Sequence, residues 1–323
     1  MEEWMKNYLV PDKANVIGKI QKYGVPEFFK WRSVRKYMTD YQKQKLMSDY
    51  PLNIMVEVTN RCNAKCIMCP RTTMMTRGTG DMNYKFFCDW FDSLRVSPVY
   101  MTFHYSGEPL LNPDLVPMIE HAHKLGVKIL RFNSNGILLN RRKAEEILDS
   151  HLDVINIAIE ATEEIHNRLR PSSDYNKVRQ NVLDMMALKK SMHKKLPIIQ
   201  VAMLITKDTT KEEIDEGTEA WKGKVDYIIY DTISTIGNQV KDYGVISPPK
   251  KSCSDIWTTC CVLWNGDVVP CCVDHNATMV MGNVKYQTLD SIWRSQKFEA
   301  LRWMHEHDCV PENSLCGQCL KVA

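Results

Sequence analysis

From residue 53 to residue 230 the chain alternates short apolar runs with longer helical patterns, and this alternation limits the fold more than any other feature. The runs 53–58, 99–103, 127–132, 154–159, 198–205 and 225–230 read as six strands. Between them, 83–94, 113–125, 141–149, 174–192 and 210–222 read as helices, most entered through Asn, Asp or Pro and several left through Gly. Strand, helix and strand repeated in this way require a parallel sheet, open or curled toward a barrel. With 323 residues the chain is long enough to bury a proper core, as one large domain with an appendage or as two modest domains. At 44% hydrophobic and 25% charged residues, extended disorder, a collagen-like repeat and a coiled-coil rod are poor readings.

The net charge of +3 is too small to imply a nucleic-acid or membrane partner by bulk electrostatics. No apolar run approaches the roughly 20 residues needed to span a bilayer. The start of the chain (Glu2, Glu3, Trp4, Lys6) lacks the basic then apolar pattern of a signal peptide, so a cytoplasmic protein is expected. Residues 1–50 carry ten Lys and Arg against six acidic residues, with apolar residues at partly helical spacing. They read as an N-terminal helical preface packed on the main domain. Ser247-Pro248-Pro249-Lys250 is a turn-rich break, which divides a domain at 51–246 from a small cysteine-rich module at 250–323.

Twelve cysteines in a reducing compartment point to metal or cluster chemistry, because structural disulfides are rare there. Cys62, Cys66 and Cys69 stand at Cys-x3-Cys-x2-Cys directly after the first strand, and eight more lie between Cys253 and Cys319. For this composition the first spacing has a chance of only about 0.016. Three thiolates in one loop can hold three irons of a 4Fe-4S cube and leave the fourth open to another ligand. Zinc is the alternative, but it would recruit a fourth Cys or His, and the nearest histidine is His104 at the end of the next strand.

The Cys-x3-Cys-x2-Cys loop after the first strand resembles the radical S-adenosylmethionine (SAM) superfamily. The resemblance implies an α/β fold, a partial (β/α)6 TIM-like barrel. It also implies a SAM-binding 4Fe-4S cluster held by Cys62, Cys66 and Cys69, and reductive cleavage of SAM to a 5′-deoxyadenosyl radical that takes hydrogen from a substrate. Further matches follow in family order. Tyr105-Ser106-Gly107-Glu108-Pro109 is similar to the family's Gly-Gly-Glu-Pro motif at the SAM amino group, with Ser106 in place of the first glycine. Gly107 would allow close backbone approach and Glu108 would accept from an ammonium. Asn133-Ser134-Asn135-Gly136 resembles the family's ribose-side turn, with Asn133 and Asn135 as the polar contacts. On the fourth strand Glu160 stands where an aspartate is usual and Ala158 where a serine is usual, and Arg168 or Arg170 is expected to reach the SAM carboxylate. Met68 replaces a residue that is often aromatic.

Cys253-x12-Gly266-x4-Cys271 followed by Cys316-x2-Cys319 resembles the auxiliary-cluster module called SPASM or, in its shorter form, twitch. The resemblance implies one auxiliary 4Fe-4S cluster on Cys253, Cys271, Cys316 and Cys319, with zinc on the same four thiols as the alternative. Asn265-Gly266 is a hairpin signal that folds Cys271 back toward Cys253. Cys88 and Cys260 read as small buried apolar residues, whereas Cys272 and Cys261 are candidate hydrogen-atom donors. The function implied is SAM-dependent oxidation or epimerisation of a small molecule: a sugar, aminosugar or nucleotide sugar. Its electrons would come from a reduced flavodoxin- or ferredoxin-like donor. The alternatives are a peptide-modifying enzyme, whose leader-binding domain residues 1–50 do not resemble, and a non-catalytic iron-sulfur electron carrier.

Overall fold

The computed structural model describes residues 49–232 and 252–321. The break at 247–250 and all but the end of the helical preface therefore lie outside the described residues. Six parallel strands follow one another: β1 (Asn53–Val56), β2 (Tyr100–Thr102), β3 (Ile129–Ser134), β4 (Val154–Ala158), β5 (Ile198–Ile205) and β6 (Tyr227–Thr232). Three strands from the C-terminal segment, β7 (Thr259–Val262), β8 (Asp267–Val269) and β9 (Gly282–Asn283), extend the same sheet. The strand order is β6-β5-β4-β3-β2-β1-β7-β8-β9, so the sheet is open, with β6 and β9 at its edges. This is the partial barrel expected, with one addition: β7 pairs parallel to β1, which makes the cysteine-rich segment a continuation of the sheet.

All six expected strands are present, but β3 and β6 begin two residues late. Val127 and Val225, which open those apolar runs, are buried in the approach to each strand, where packing begins before ladder pairing does. Most of the longer helices between strands start at side-chain caps, Leu115–Lys124 being the exception. Asn83, Asn140 and Asp174 accept from the backbone three residues on, and Thr210 with Glu213 forms a full capping box. A helix at Glu163–Leu169, capped by Thr162, is additional to those read from periodicity; at seven residues it is too short to establish a repeat.

The two faces of the sheet differ in chemistry. Ile54, Val56, Met101, Phe103, Leu130, Phe132, Ile155, Ile157, Ile199 and Val201 form one face and join Phe87, Trp90, Met118 and Ile119 of the covering helices in the main core. Alternate residues face the barrel interior, and many are polar: Asn53, Tyr100, Thr102, Arg131, Asn133, Asn156 and Gln200. A wholly parallel sheet usually buries apolar residues on both faces. The polar inner wall is therefore a departure that needs a functional reason.

A buried ion pair fastens the cysteine-rich segment to the barrel. Glu57, just beyond β1, is fully buried and accepts from both terminal nitrogens of Arg77, one at 2.7 Å, and from the Trp264 backbone at 3.3 Å. Burial pushes the Glu57 carboxyl up, against the opposing pull of Arg77. Arg77 Nε donates to the His275 carbonyl at 2.6 Å, and Asn276 accepts from Thr76 N at 2.7 Å and donates to Met74 O at 3.0 Å. Removing one member of such a pair leaves an uncompensated buried charge. Arg77→Met should therefore cost about 3–5 kcal/mol in urea unfolding, whereas Glu57→Gln combined with Arg77→Met should recover part of that loss.

Candidate functional site

The first cysteine loop leaves β1 and is held in shape by its own polar contacts. Asn60 donates to Gly78 O at 2.9 Å and accepts from Gly80 N at 2.8 Å, while Arg71 Nε donates to Asn60 O at 2.7 Å. Ile67 N donates to Leu169 O at 3.0 Å and Lys65 N to Ser172 Oγ at 2.6 Å, which ties the loop to the chain after β4. The sulfurs meet donors: Ala64 N at 3.4 Å and Asn135 Nδ2 at 3.7 Å on Cys62, Arg170 Nη1 at 3.5 Å on Cys66, and the backbone of Arg71 and Thr72 on Cys69. Burial pushes the Cys62 and Cys69 thiols up, so a bound cation would be needed to draw off their protons at neutral pH.

The Tyr105–Pro109 segment is seated on this loop. Glu108 N donates to Arg61 O at 2.8 Å, and a Cβ on Gly107 would lie 2.2 Å from Thr59 O and 2.7 Å from Arg61 O. The close approach that requires glycine is thus to the cysteine loop itself. Ser106 Oγ lies 3.3 Å from His275 Nδ1, so the residue that departs from the family motif makes a contact to the second cysteine segment. Glu108, expected on the SAM side, also has partners within the fold. It is buried and accepts from Leu110 N at 3.1 Å, Ser134 Oγ at 2.9 Å and Asn135 N at 2.7 Å, which joins the ends of β2 and β3. Burial raises its pKa to about 7 against the lowering effect of those bonds.

The other expected SAM-side residues divide. Asn135 reaches Cys62 and also donates to Asn63 Oδ1 at 2.8 Å. Asn133 belongs to the inner wall, where its carbonyl accepts from Arg131 at 2.8 Å and from Asn156 at 3.0 Å. Glu160 is fully buried, pairs with Arg170 Nε at 2.7 Å and accepts from Leu204 N at 2.9 Å. Arg170 therefore joins the cysteine loop to β4 and β5. Arg168, offered as its equal from the sequence, lies exposed on the Glu163–Leu169 helix; the two side chains leave that helix in different directions.

The second group forms around the β7–β8 hairpin. Gly266 adopts φ +92°, which glycine favours, and the antiparallel register Cys261↔Val269 returns the chain toward Cys253. Asp274 accepts from Thr278 N, Thr278 Oγ1 and Met279 N and shapes the loop beyond Cys271 and Cys272. Cys316 and Cys319 share one side of the helix Leu315–Lys321, being three residues apart. These thiols are neighbours. Burial is the main cause of the raised values, about 11 for Cys253 and about 12 for Cys316, and the charges of Cys253, Cys271, Cys316 and Cys319 act on one another. Among the described residues no three Cys, His, Asp or Glu side chains converge as a ligand set for a single ion. A cube takes one thiolate per iron and asks for sulfurs spread around a cavity, so both thiol sets suit a cluster in chemistry and in grouping. Cys260 is buried on the helix-facing side of β7, as a small apolar residue would be. Cys261 is buried on the inner side with Met55, Tyr105, Leu263 and Val269, and Cys272 is exposed.

The sequence reading missed Glu57, Arg77, Tyr105 and His275, which link the two cysteine groups. Tyr105 OH donates to Cys271 O at 3.4 Å, and the Tyr105 and His275 rings lie 5.8 Å apart. It also missed the inner-wall residues Arg131 and Asn156, and it weighed His104 only as a zinc ligand. Their signal was present: polar residues at alternate positions within strands assigned as buried.

A family model described as the radical SAM superfamily matches residues 56–220, and one described as an iron-sulfur cluster-binding domain matches residues 253–320. The chain belongs to the radical SAM superfamily. It is 25% identical over 277 residues to an S-adenosyl-L-methionine-dependent 2-deoxy-scyllo-inosamine dehydrogenase of Niallia circulans, covering 84% of this chain and 93% of that one. It is 21% identical over 308 residues to a tungsten-containing aldehyde ferredoxin oxidoreductase cofactor-modifying protein of Pyrococcus furiosus, covering 81% and 86%. In fold it is similar to BtrN in complex with AdoMet and 2-DOIA, with TM-score 0.57, 21% identity and coverage of 83% and 92%. It is also similar to Streptococcus suis SuiB bound to precursor peptide SuiA, with TM-score 0.65, 14% identity and coverage of 90% and 74%. Membership brings a SAM-binding 4Fe-4S cluster, iron-sulfur binding in the C-terminal segment, and SAM as cofactor. Among the described residues no helix is long and apolar enough to cross a membrane.

Glu108 supplies a test of the seat for the cysteine loop. Its carboxyl holds a proton more tightly folded than unfolded, so its contribution to stability is present at low pH and is lost as pH rises from about 4.5 to about 7. Thermal unfolding of Glu108→Gln should lack that part of the pH slope, and Gly107→Ala should lower the melting temperature at every pH.

Proposed function

We propose that this chain is a SAM-dependent radical oxidoreductase or epimerase of a small polar molecule, in the class of sugars, aminosugars and nucleotide sugars. The observation that carries the reading is a cysteine loop that follows β1, linked through Tyr105 and Ser106 to the cysteine-rich segment whose strand β7 pairs with β1, beside a polar inner sheet face. In this reading Cys62, Cys66 and Cys69 hold the SAM-binding 4Fe-4S cluster, and Cys253, Cys271, Cys316 and Cys319 hold one auxiliary 4Fe-4S cluster. When bound, the first cluster and SAM supply a 5′-deoxyadenosyl radical for hydrogen abstraction.

The protein's part is positional. Asn135 and Arg170 donate to the sulfurs of Cys62 and Cys66, which favours their thiolate forms and fixes the loop. Arg170, neutralised by Glu160, presents its remaining donors beside the loop, where a carboxylate of SAM would find them. The Niallia circulans relative, matched over almost its full length, acts by its name on an inosamine, which supports a small polar substrate. The two candidate hydrogen donors differ in setting: Cys272 is exposed, whereas Cys261 is buried against Met55 and Tyr105. Electrons would come from a reduced flavodoxin- or ferredoxin-like protein in the cytoplasm.

The test is anaerobic. After reconstitution, iron should approach about eight atoms per chain, and dithionite with SAM should yield 5′-deoxyadenosine. Cys62→Ala should abolish that product, whereas Cys271→Ala should retain its formation but stop substrate turnover. No 5′-deoxyadenosine from a chain with both clusters counted, in the presence of cell extract as a source of substrate, would overturn the reading.

A further inference from the structure

We propose that the inner wall of the barrel binds an oxyanion of the substrate, a carboxylate or phosphate ester, on the guanidinium of Arg131, with Asn156 receiving a neighbouring hydroxyl. The inference rests on the function proposed above and narrows its substrate to an acidic polyol, such as a sugar acid or a sugar phosphate.

Arg131 stands in the middle of β3, in register with Thr102 on one side and Val154 on the other. Three other buried cations of the barrel each have a carboxylate: Arg77 has Glu57, Arg170 has Glu160 and Lys189 has Asp226. Among the described residues Arg131 has only neutral oxygens as hydrogen-bond partners, Tyr100 OH at 3.1 Å and Asn133 Oδ1 at 2.8 Å. Its Nε is buried and, among the described residues, has no partner. Asn156, 3% exposed, donates to Asn133 at 3.0 Å, but its own Oδ1 is buried and unpartnered. A donor and an acceptor are thus left unsatisfied on adjacent strands of one wall, and leaving such groups unmet costs stability.

Among the described residues the surroundings leave this charge without an ion pair. His104, whose Nδ1 accepts from Asn133 N at 3.2 Å, is held neutral, with its pKa lowered to about 3 by burial and by Arg131. Asp231 at the end of β6 feels the charge of Arg131 but makes no ion pair with it, and burial pushes its carboxyl up. A guanidinium with free donors in such a setting matches the fork of a carboxylate or phosphate. Arg131 stands mid-strand, whereas Asn135, which touches Cys62, follows the end of β3, and Arg170 already stands beside the cysteine loop for the carboxylate of SAM. In register with Asn133 and Asn156 lie Gln200 and Tyr227, which supply further polar groups suited to hydroxyls.

Binding is measured on the reconstituted protein without SAM or reductant, by equilibrium dialysis of inorganic phosphate, malonate, D-gluconate and D-glucose 6-phosphate, with D-glucose and D-glucosamine as neutral and cationic controls. One saturable site per chain is expected for at least one of the anionic probes, at least tenfold weaker in Arg131→Gln and intermediate in Arg131→Lys. The preferred probe separates carboxylate from phosphate. Because Arg131 makes no ion pair among the described residues, Arg131→Gln should melt no lower than the wild type, where a merely structural arginine would lower the melting temperature. No anion site below about 50 mM, a site unchanged in Arg131→Gln, or turnover of a neutral or cationic substrate would overturn the proposal. Anion binding without 5′-deoxyadenosine formation would instead count against the radical chemistry alone.

Discussion

Everything in this molecule depends on β1 having two parallel neighbours. By pairing with β2 on one side and β7 on the other, a four-residue strand brings together two cysteine groups that are almost two hundred residues apart in sequence. Backbone pairing sets the register, Met55 opposite Cys261, and the buried Glu57–Arg77 pair then holds the loops beyond it. A buried ion pair is weak as a source of stability but strict about geometry, because neither partner can leave without stranding the other. That strictness suits a site whose two halves must keep a fixed separation.

The second constraint is the division of labour between the faces of the sheet. The helix-facing side is apolar and fully packed, and it supplies the stability. The inner side carries Arg131, Asn133, Asn156 and Gln200 and contributes little to packing. Each polar residue there sacrifices hydrophobic burial, and the sacrifice is tolerable because the outer face already holds the strands in place. In this architecture the scaffold and the site occupy opposite sides of the same six strands.

Much of this was legible in the sequence, because strand and helix periods, caps and cysteine spacing are local signals. Asn265-Gly266 called for a hairpin and made one, and the strand–helix alternation fixed the class of fold. Two kinds of feature were not legible. Arg168 and Arg170 sit two residues apart at the end of a short helix, and only its orientation on the barrel decides that Arg170 meets Glu160. The inner wall was overlooked because runs such as Ile129-Leu130-Arg131-Phe132-Asn133 look like ordinary buried strands until the neighbouring register is known. Glu108 is an intermediate case: its motif was recognised, but its partners on β3 come from folding.

Most of the hydrogen bonds that shape the first cysteine loop run through Asn60, Arg71, Leu169 and Ser172, and Ala64, Asn135 and Arg170 add bonds to the sulfurs of Cys62 and Cys66. The loop is therefore a socket held largely by bonds that do not involve its contents. An iron-sulfur cluster lost to oxygen leaves behind a folded receptacle, and repair becomes a matter of delivery to a standing site. For a protein whose cofactor is among the most perishable in the cell, separating the lifetime of the scaffold from that of the cluster lets one chain serve through many loadings.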